Sequence, residues 1–86
     1  MTYRVDFTTA AARQIRKLPQ PARFRVLDAV SGLAGDPPPQ GAKKLVNEQT
    51  AWRIRVGASR VIYDVFDERL TVTVVRAAHR SEAYDR

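Results

Sequence analysis

Hydrophobic and polar residues alternate along the second half of the chain, which is typical of strands with one buried and one exposed face. The clearest run is Trp52–Val56, in which apolar side chains alternate with arginines. The turn signal Gly57-Ala58-Ser59 and a second β-rich run follow it, so we expect a hairpin. The pattern predicts three consecutive strands at about 52–56, 60–66 and 70–77, with a tight turn at 67–69.

The first half of the chain predicts a short strand followed by two helices. Tyr3–Phe7 alternates as a strand does, and Thr8 or Thr9 can cap the first helix through its hydroxyl oxygen. Pro21 suits the first position of a second helix, and Gly35 is a suitable residue to end it. The buried stripe predicted for this second helix is Phe24, Leu27, Val30, Leu33 and Ala34, with Val26 beside it.

These elements predict a single α+β domain over residues 1–86, in the order β-α-α-β-β-β. A helical hairpin must bury its apolar stripe, and the meander of strands is the only large partner. We therefore expect a two-layer sandwich, with an antiparallel sheet and the helices on one of its faces. Residues 42–46 are expected to add a short irregular strand, and the polar tail 79–86 a last helical turn.

Charge and composition narrow the possible functions. The chain has 15 Lys and Arg against nine Asp and Glu, a net charge of +6, which favours an anionic partner. That partner can be a nucleic acid or an acidic protein segment. There is no cysteine and one histidine, so neither a thiolate zinc site nor a histidine-rich metal cluster is expected. No cofactor, membrane span or signal peptide is predicted, and we expect a cytoplasmic protein.

Several short stretches, in this order and spacing, resemble a known family. They are Thr8-Thr9-Ala10, Arg16–Pro19, Lys44-Leu45, Trp52–Val56, Arg60–Val65 and the ending Val75–Tyr84. Together they are similar to the RelE/ParE toxin superfamily, and within it to the RelE branch. The resemblance covers nearly the whole chain and implies a RelE-like fold.

The resemblance also implies an activity, a set of partners and a site. It implies the toxin of a type II toxin–antitoxin pair: a metal-independent, ribosome-dependent endonuclease of messenger RNA that a cognate antitoxin inhibits. Operator DNA would be bound only through the antitoxin complex. In such enzymes the ribose 2′-OH attacks the adjacent phosphate. The catalytic residues carried over by position are Arg53, Arg55, Arg60, His79, Arg80 and Tyr84, and Lys43, Lys44 and Arg76 are expected to add RNA-binding charge.

The identity of the general base is open in this sequence. Arginines stand at positions 53 and 55, where relatives often have lysines, and an arginine is a poor base because its pKa is above ~12. His79 is the one side chain with a reference pKa, ~6.5, near neutrality, so we favour it for proton transfer. Tyr84 is the alternative.

Two other functions fit the same fold. One is a ParE-like inhibitor of DNA gyrase, and the other is a non-catalytic co-repressor that binds the antitoxin. The basic cluster and the His-Arg-x-x-x-Tyr tail favour the nuclease over these two. Trp52 and Tyr63 are expected to lie in the core rather than to stack on bases, since Trp52 shares a strand face with Ile54 and Val56.

Overall fold

The structure is a computed structural model that describes residues 2–35, 43–44 and 50–79. Its elements are β1 (Arg4–Phe7), α1 (Thr9–Arg16), α2 (Gln20–Gly32), β2 (Lys43–Lys44), β3 (Ala51–Val56), β4 (Ser59–Phe66), a 3-10 turn (Asp67–Arg69) and β5 (Thr71–His79). This order confirms the predicted α+β architecture, including a short strand within residues 42–46. Neither α1 nor α2 is long and apolar enough to cross a membrane.

Local chemistry explains where the elements begin and turn. The hydroxyl oxygen of Thr8 accepts a hydrogen bond of 3.1 Å from the amide of Ala11 and so caps α1. Pro21 lies in the first turn of α2, where a missing N–H costs nothing. The β3–β4 turn has two central residues, and the first of them, Gly57, has φ +60°. This is the arrangement of a type II′ turn, whose twist matches that of the flanking strands.

The sheet is mixed, which corrects the expectation of a wholly antiparallel sheet. Its strand order is β1-β5-β4-β3-β2, and β1 pairs with β5 in the parallel direction over Arg4–Phe7 and Thr71–Val74. The other pairings are antiparallel. Because β1 and β5 are far apart in sequence, no tight hairpin forces them to be antiparallel, as it does for neighbouring strands. Alternation within the sequence cannot reveal that direction.

The core lies between the two helices and one face of the sheet. From the helical half it takes Ala11, Ile15, Leu18, Val26, Val30 and Leu33, and from the sheet Val61, Tyr63, Val65, Val72, Val74 and Ala77. The face of the sheet that packs on the helices is called the helix face below, and the opposite face is called the open face. Tyr63 is 0 % exposed, and Trp52 packs partly buried against this core, as predicted for both.

The predicted buried stripe of α2 was wrong at two positions. Phe24 and Leu27 are 60 % and 39 % exposed, whereas Val26, Val30 and Leu33 are buried. The buried residues are separated by four and then three positions, which also satisfies helical periodicity. The sequence of α2 carries two apolar faces. Packing against β3 and β4 determines which of them is buried.

Candidate functional site

The strand register brings four arginines onto the open face of the sheet. Arg55 pairs directly with Arg60 across β3 and β4. In the next row, Arg53 pairs with Ile62, and Ile62 pairs with Arg76 on β5. Neighbouring strands are ~4.8 Å apart, so Arg53 and Arg76 flank Ile62 at about 10 Å from each other. Arg53, Arg55, Arg60 and Arg76 are called the open-face arginines below.

A bulge in β5 determines which of its side chains reach the open face. Val74 pairs with Tyr63, but Arg76 pairs with Ile62, so Val75 is an extra residue in β5. An extra residue reverses the alternation of every side chain beyond it. Arg76 is accordingly exposed, while Ala77 is buried at 1 % exposure on the helix face. Without the bulge, Arg76 would lie in the row of Val61, which is in the core.

The same reversal separates His79 from the open-face arginines. His79 is the last residue of β5, and it pairs with Ser59, which in turn pairs with Val56. This row belongs to the helix face, because Ser59 is fully buried there. His79 is half-buried and extended, so the predicted helical turn does not begin at this residue. Arg80 and Tyr84 lie outside the described residues, and so does the rest of that predicted turn.

The edge strand β2 places two further basic residues next to the arginines in the backbone ladder. Lys43 pairs with Arg53, and Lys44 pairs with Trp52. The backbone row that begins at Lys43 therefore continues through Arg53 and Ile62 to Arg76.

Negative charge lies towards the other end of the sheet. Among the described residues the one ion pair is Arg4–Asp6, with a distance of 3.1 Å between Nε and Oδ1. Asp64 accepts a hydrogen bond of 3.0 Å from the Thr50 hydroxyl, and it lies about 13 Å along β4 from Arg60. Asp67 accepts a hydrogen bond of 2.7 Å from the Tyr3 hydroxyl. In the part of the chain that the structure describes, the open-face arginines therefore keep an excess of positive charge at their end.

The arrangement suits the binding of phosphate groups. A guanidinium group is planar and donates paired hydrogen bonds to phosphate oxygens. Like charges directly opposite one another destabilise a sheet, as in the Arg55–Arg60 pair, unless an anion lies between them. Across residues 2–35, 43–44 and 50–79, no three His, Asp or Glu side chains come together as possible metal ligands.

One basic residue near this site was missed by sequence reasoning. Arg25 belongs to α2, yet a Cβ placed on Gly57 would lie 3.3 Å from Nη1 of Arg25. Its guanidinium group therefore lies against the tip of the β3–β4 hairpin. Nothing in the sequence indicates this position, because 32 positions separate the two residues along the chain.

Known proteins with similar sequences and folds identify the family. The family model of the ParE toxin of type II toxin–antitoxin systems matches residues 5–84. The toxin RelG of Mycobacterium tuberculosis is 34% identical to this chain over 87 residues, and the match covers the full length of both.

Solved structures agree with this assignment. The toxin–antitoxin complex RelBE2 of M. tuberculosis has a chain with a TM-score of 0.83 and 34% identity, covering 94% of both chains. A chain of the archaeal RelE–RelB complex of Pyrococcus horikoshii has a TM-score of 0.81 and 27% identity, covering 93% of this chain and 97% of the other. A mutant of the E. coli toxin RelE in the free state has a TM-score of 0.80 and 25% identity, covering 99% of this chain and 90% of the other. The chain belongs to the RelE/ParE superfamily and is a RelE-like toxin of a type II toxin–antitoxin pair.

Proposed function

We propose that this toxin cleaves messenger RNA on the ribosome and that the open-face arginines bind the reacting phosphate. The observation that carries the proposal is the unbalanced positive charge of Arg53, Arg55, Arg60 and Arg76 on one exposed face. An RNA backbone supplies the anions that the described residues do not provide for these side chains. Gyrase inhibition by protein–protein contact does not require this concentration of guanidinium groups.

The proposed reaction needs neither a metal ion nor a cofactor. The ribose 2′-oxygen attacks the adjacent phosphorus and loses its proton to a base, while the bond to the 5′-oxygen of the next nucleotide breaks. The products are a 2′,3′-cyclic phosphate and a 5′-hydroxyl, which takes up a proton. Negative charge accumulates on the phosphoryl oxygens in the transition state, and guanidinium groups held nearby stabilise it. The ribosome orients the message so that the 2′-oxygen is in line with the leaving oxygen.

Proton transfer is assigned to His79 or, as the alternative, to Tyr84, both near the C-terminus. His79 lies at the same end of the sheet as Arg60 but in a row of the helix face. For His79 to act as the base, its ring must reach around the end of β5 to the RNA. Tyr84 is the alternative base, and its hydroxyl can instead donate a proton to the leaving oxygen. Arg80 adds a further cation to the transition state.

A cognate antitoxin is the proposed regulator. Relatives from M. tuberculosis, P. horikoshii and E. coli were solved as complexes with a RelB partner or as toxin–antitoxin complexes. For this chain, an acidic antitoxin segment placed over the open face would neutralise the arginines and exclude RNA. Binding of operator DNA is then a property of the complex, since the antitoxin occupies the basic surface.

Induction of the toxin alone in cells tests the proposal against gyrase inhibition. We expect translation to stop and new message ends to map to codons within the ribosomal decoding site. A strain that expresses the Arg60→Ala variant at the same level is the matched control, and its message ends should stay as in uninduced cells. Unchanged message ends together with accumulating DNA breaks would replace this proposal with gyrase inhibition.

A further inference from the structure

The tip of the β3–β4 hairpin carries a basic residue that does not belong to the sheet. Arg25 is exposed on α2, in the helix layer, and its Nη1 would lie 3.3 Å from a Cβ on Gly57. Because Gly57 has no side chain, the guanidinium group can lie close to the backbone of the turn. The backbone at Gly57 needs φ +60°, which other residues rarely adopt.

This position places an arginine of the helix layer at the same end of the sheet as Arg55 and Arg60. Arg55 lies two residues before Gly57, and its cross-strand neighbour Arg60 lies three residues after Gly57. Arg55 and Arg60 therefore flank this two-residue turn along the hairpin, and the Arg25 guanidinium group approaches it from the helix layer. Asp28 lies one helical turn beyond Arg25, but within the described structure it forms no ion pair with Arg25. Within residues 2–35, 43–44 and 50–79, no ion pair thus neutralises the positive charge of the tip.

We propose that Arg25 extends the RNA-binding surface around this tip and binds a backbone phosphate of single-stranded RNA, next to the phosphate held by Arg55 and Arg60. The inference rests on the function proposed above and adds a contact from the helix layer. A single strand can bend around a two-residue turn and place successive phosphates on both layers. A duplex cannot, because its stiffness makes so sharp a bend costly.

The inference is tested by the salt dependence of RNA binding. The probe is a single-stranded oligonucleotide with 2′-O-methyl groups throughout, so that binding is measured without cleavage. Each phosphate contact to a single strand contributes ~0.7 to the slope of log K against log salt concentration. We expect Arg25→Gln to reduce the magnitude of this slope by about 0.7, and Arg25→Lys to restore it, since lysine keeps the charge.

Arg69→Gln is the matched control. It removes the same charge from an exposed residue of the 3-10 turn, at the other end of β4 and about 23 Å from the hairpin tip. In the wild type, Cζ of Arg69 lies 4.8 Å from the centroid of the Phe66 ring. Thermal unfolding shows whether loss of this contact lowers the stability of the control. The control should keep the wild-type slope.

Two results would overturn the inference. One is an equal slope for Arg25→Gln and Arg69→Gln. The other is an unchanged RNA slope together with weaker binding of Arg25→Gln to a glutamate-rich peptide, which would assign Arg25 to an acidic protein partner. If Arg25→Gln reduces the slope but the wild-type chain cuts no message, the proposed nuclease activity is contradicted and the RNA contact of Arg25 still stands.

Discussion

Replacing the buried tyrosine of β4 by phenylalanine should stabilise the protein. Tyr63 is 0 % exposed, and its hydroxyl oxygen has no hydrogen-bond partner among the described residues. A buried hydroxyl without a partner costs about 1 to 3 kcal/mol of desolvation. Tyr63→Phe removes that cost and leaves the ring in place, so the free energy of unfolding at pH 7 should rise by about 1 kcal/mol.

The same burial makes stability depend on pH in the alkaline range. Desolvation by burial raises the pKa of Tyr63 from 10.0 to about 12. The folded state therefore retains the proton more strongly than the unfolded state does. The resulting stabilisation is fully present below pH 10 and is lost as the pH rises through 12. A pKa difference of about 2 corresponds to about 3 kcal/mol.

Denaturant titrations of the wild type and Tyr63→Phe at a series of pH values between 7 and 12 measure both effects. Every other ionisable group is common to the two proteins, so the difference between them isolates Tyr63. The difference should favour the variant at pH 7 and should grow by about 2 to 3 kcal/mol towards pH 12. A variant that is less stable than the wild type at pH 7, by a difference that stays constant up to pH 12, would refute the reasoning. The wild-type Tyr63 hydroxyl would then have a hydrogen-bond partner and an ordinary pKa.

Three further predictions concern packing, the hairpin tip and proton transfer. Leu33→Ala should lower the free energy of unfolding by about 3 kcal/mol, and Leu27→Ala should lower it by less than about 1 kcal/mol. The reason is that Leu33 is 1 % exposed and Leu27 is 39 % exposed. Equal losses in denaturant titrations would contradict the assignment of the buried face of α2. Gly57→Ala should cost about 1 to 2 kcal/mol by thermal unfolding, since φ is +60° there, and an unchanged melting temperature would count against the turn. If His79 moves the proton, His79→Gln should lose cleavage rate, whereas a wild-type rate would transfer that role to Tyr84.

Local patterns along the chain were enough to predict most elements. Period-two alternation identified β3, β4 and β5, and the turn signal at Gly57 identified the hairpin. The alternation of arginines with apolar residues in 52–56 predicted a positively charged face of the sheet. The turn was predicted to span residues 57–59, whereas the structure has two central residues, and this shorter turn is what pairs Arg55 with Arg60.

The features that sequence reasoning missed depend on contacts between distant segments. The parallel pairing of β1 with β5 joins segments more than 60 positions apart. The bulge at Val75 interrupts an otherwise regular alternation without any glycine or proline to mark it, and it moves His79 to the helix face. The approach of Arg25 to Gly57 depends on how α2 lies across the sheet. Both apolar faces of α2 satisfied the helical period, so only packing could distinguish Phe24 from Val26.

Single-turnover cleavage of a message bound to purified ribosomes tests the central claim most directly. The wild-type toxin should cut within the decoding site and leave a 5′-hydroxyl on the downstream fragment. Arg60→Ala should slow this step by about two to three orders of magnitude, the usual cost of losing one donor to a developing charge. Arg69→Ala, the same substitution at the other end of β4, should cut at the wild-type rate. An intact message with the wild-type toxin, or an Arg60→Ala variant that cuts as fast as Arg69→Ala, would contradict the proposal that the open-face arginines stabilise the reacting phosphate.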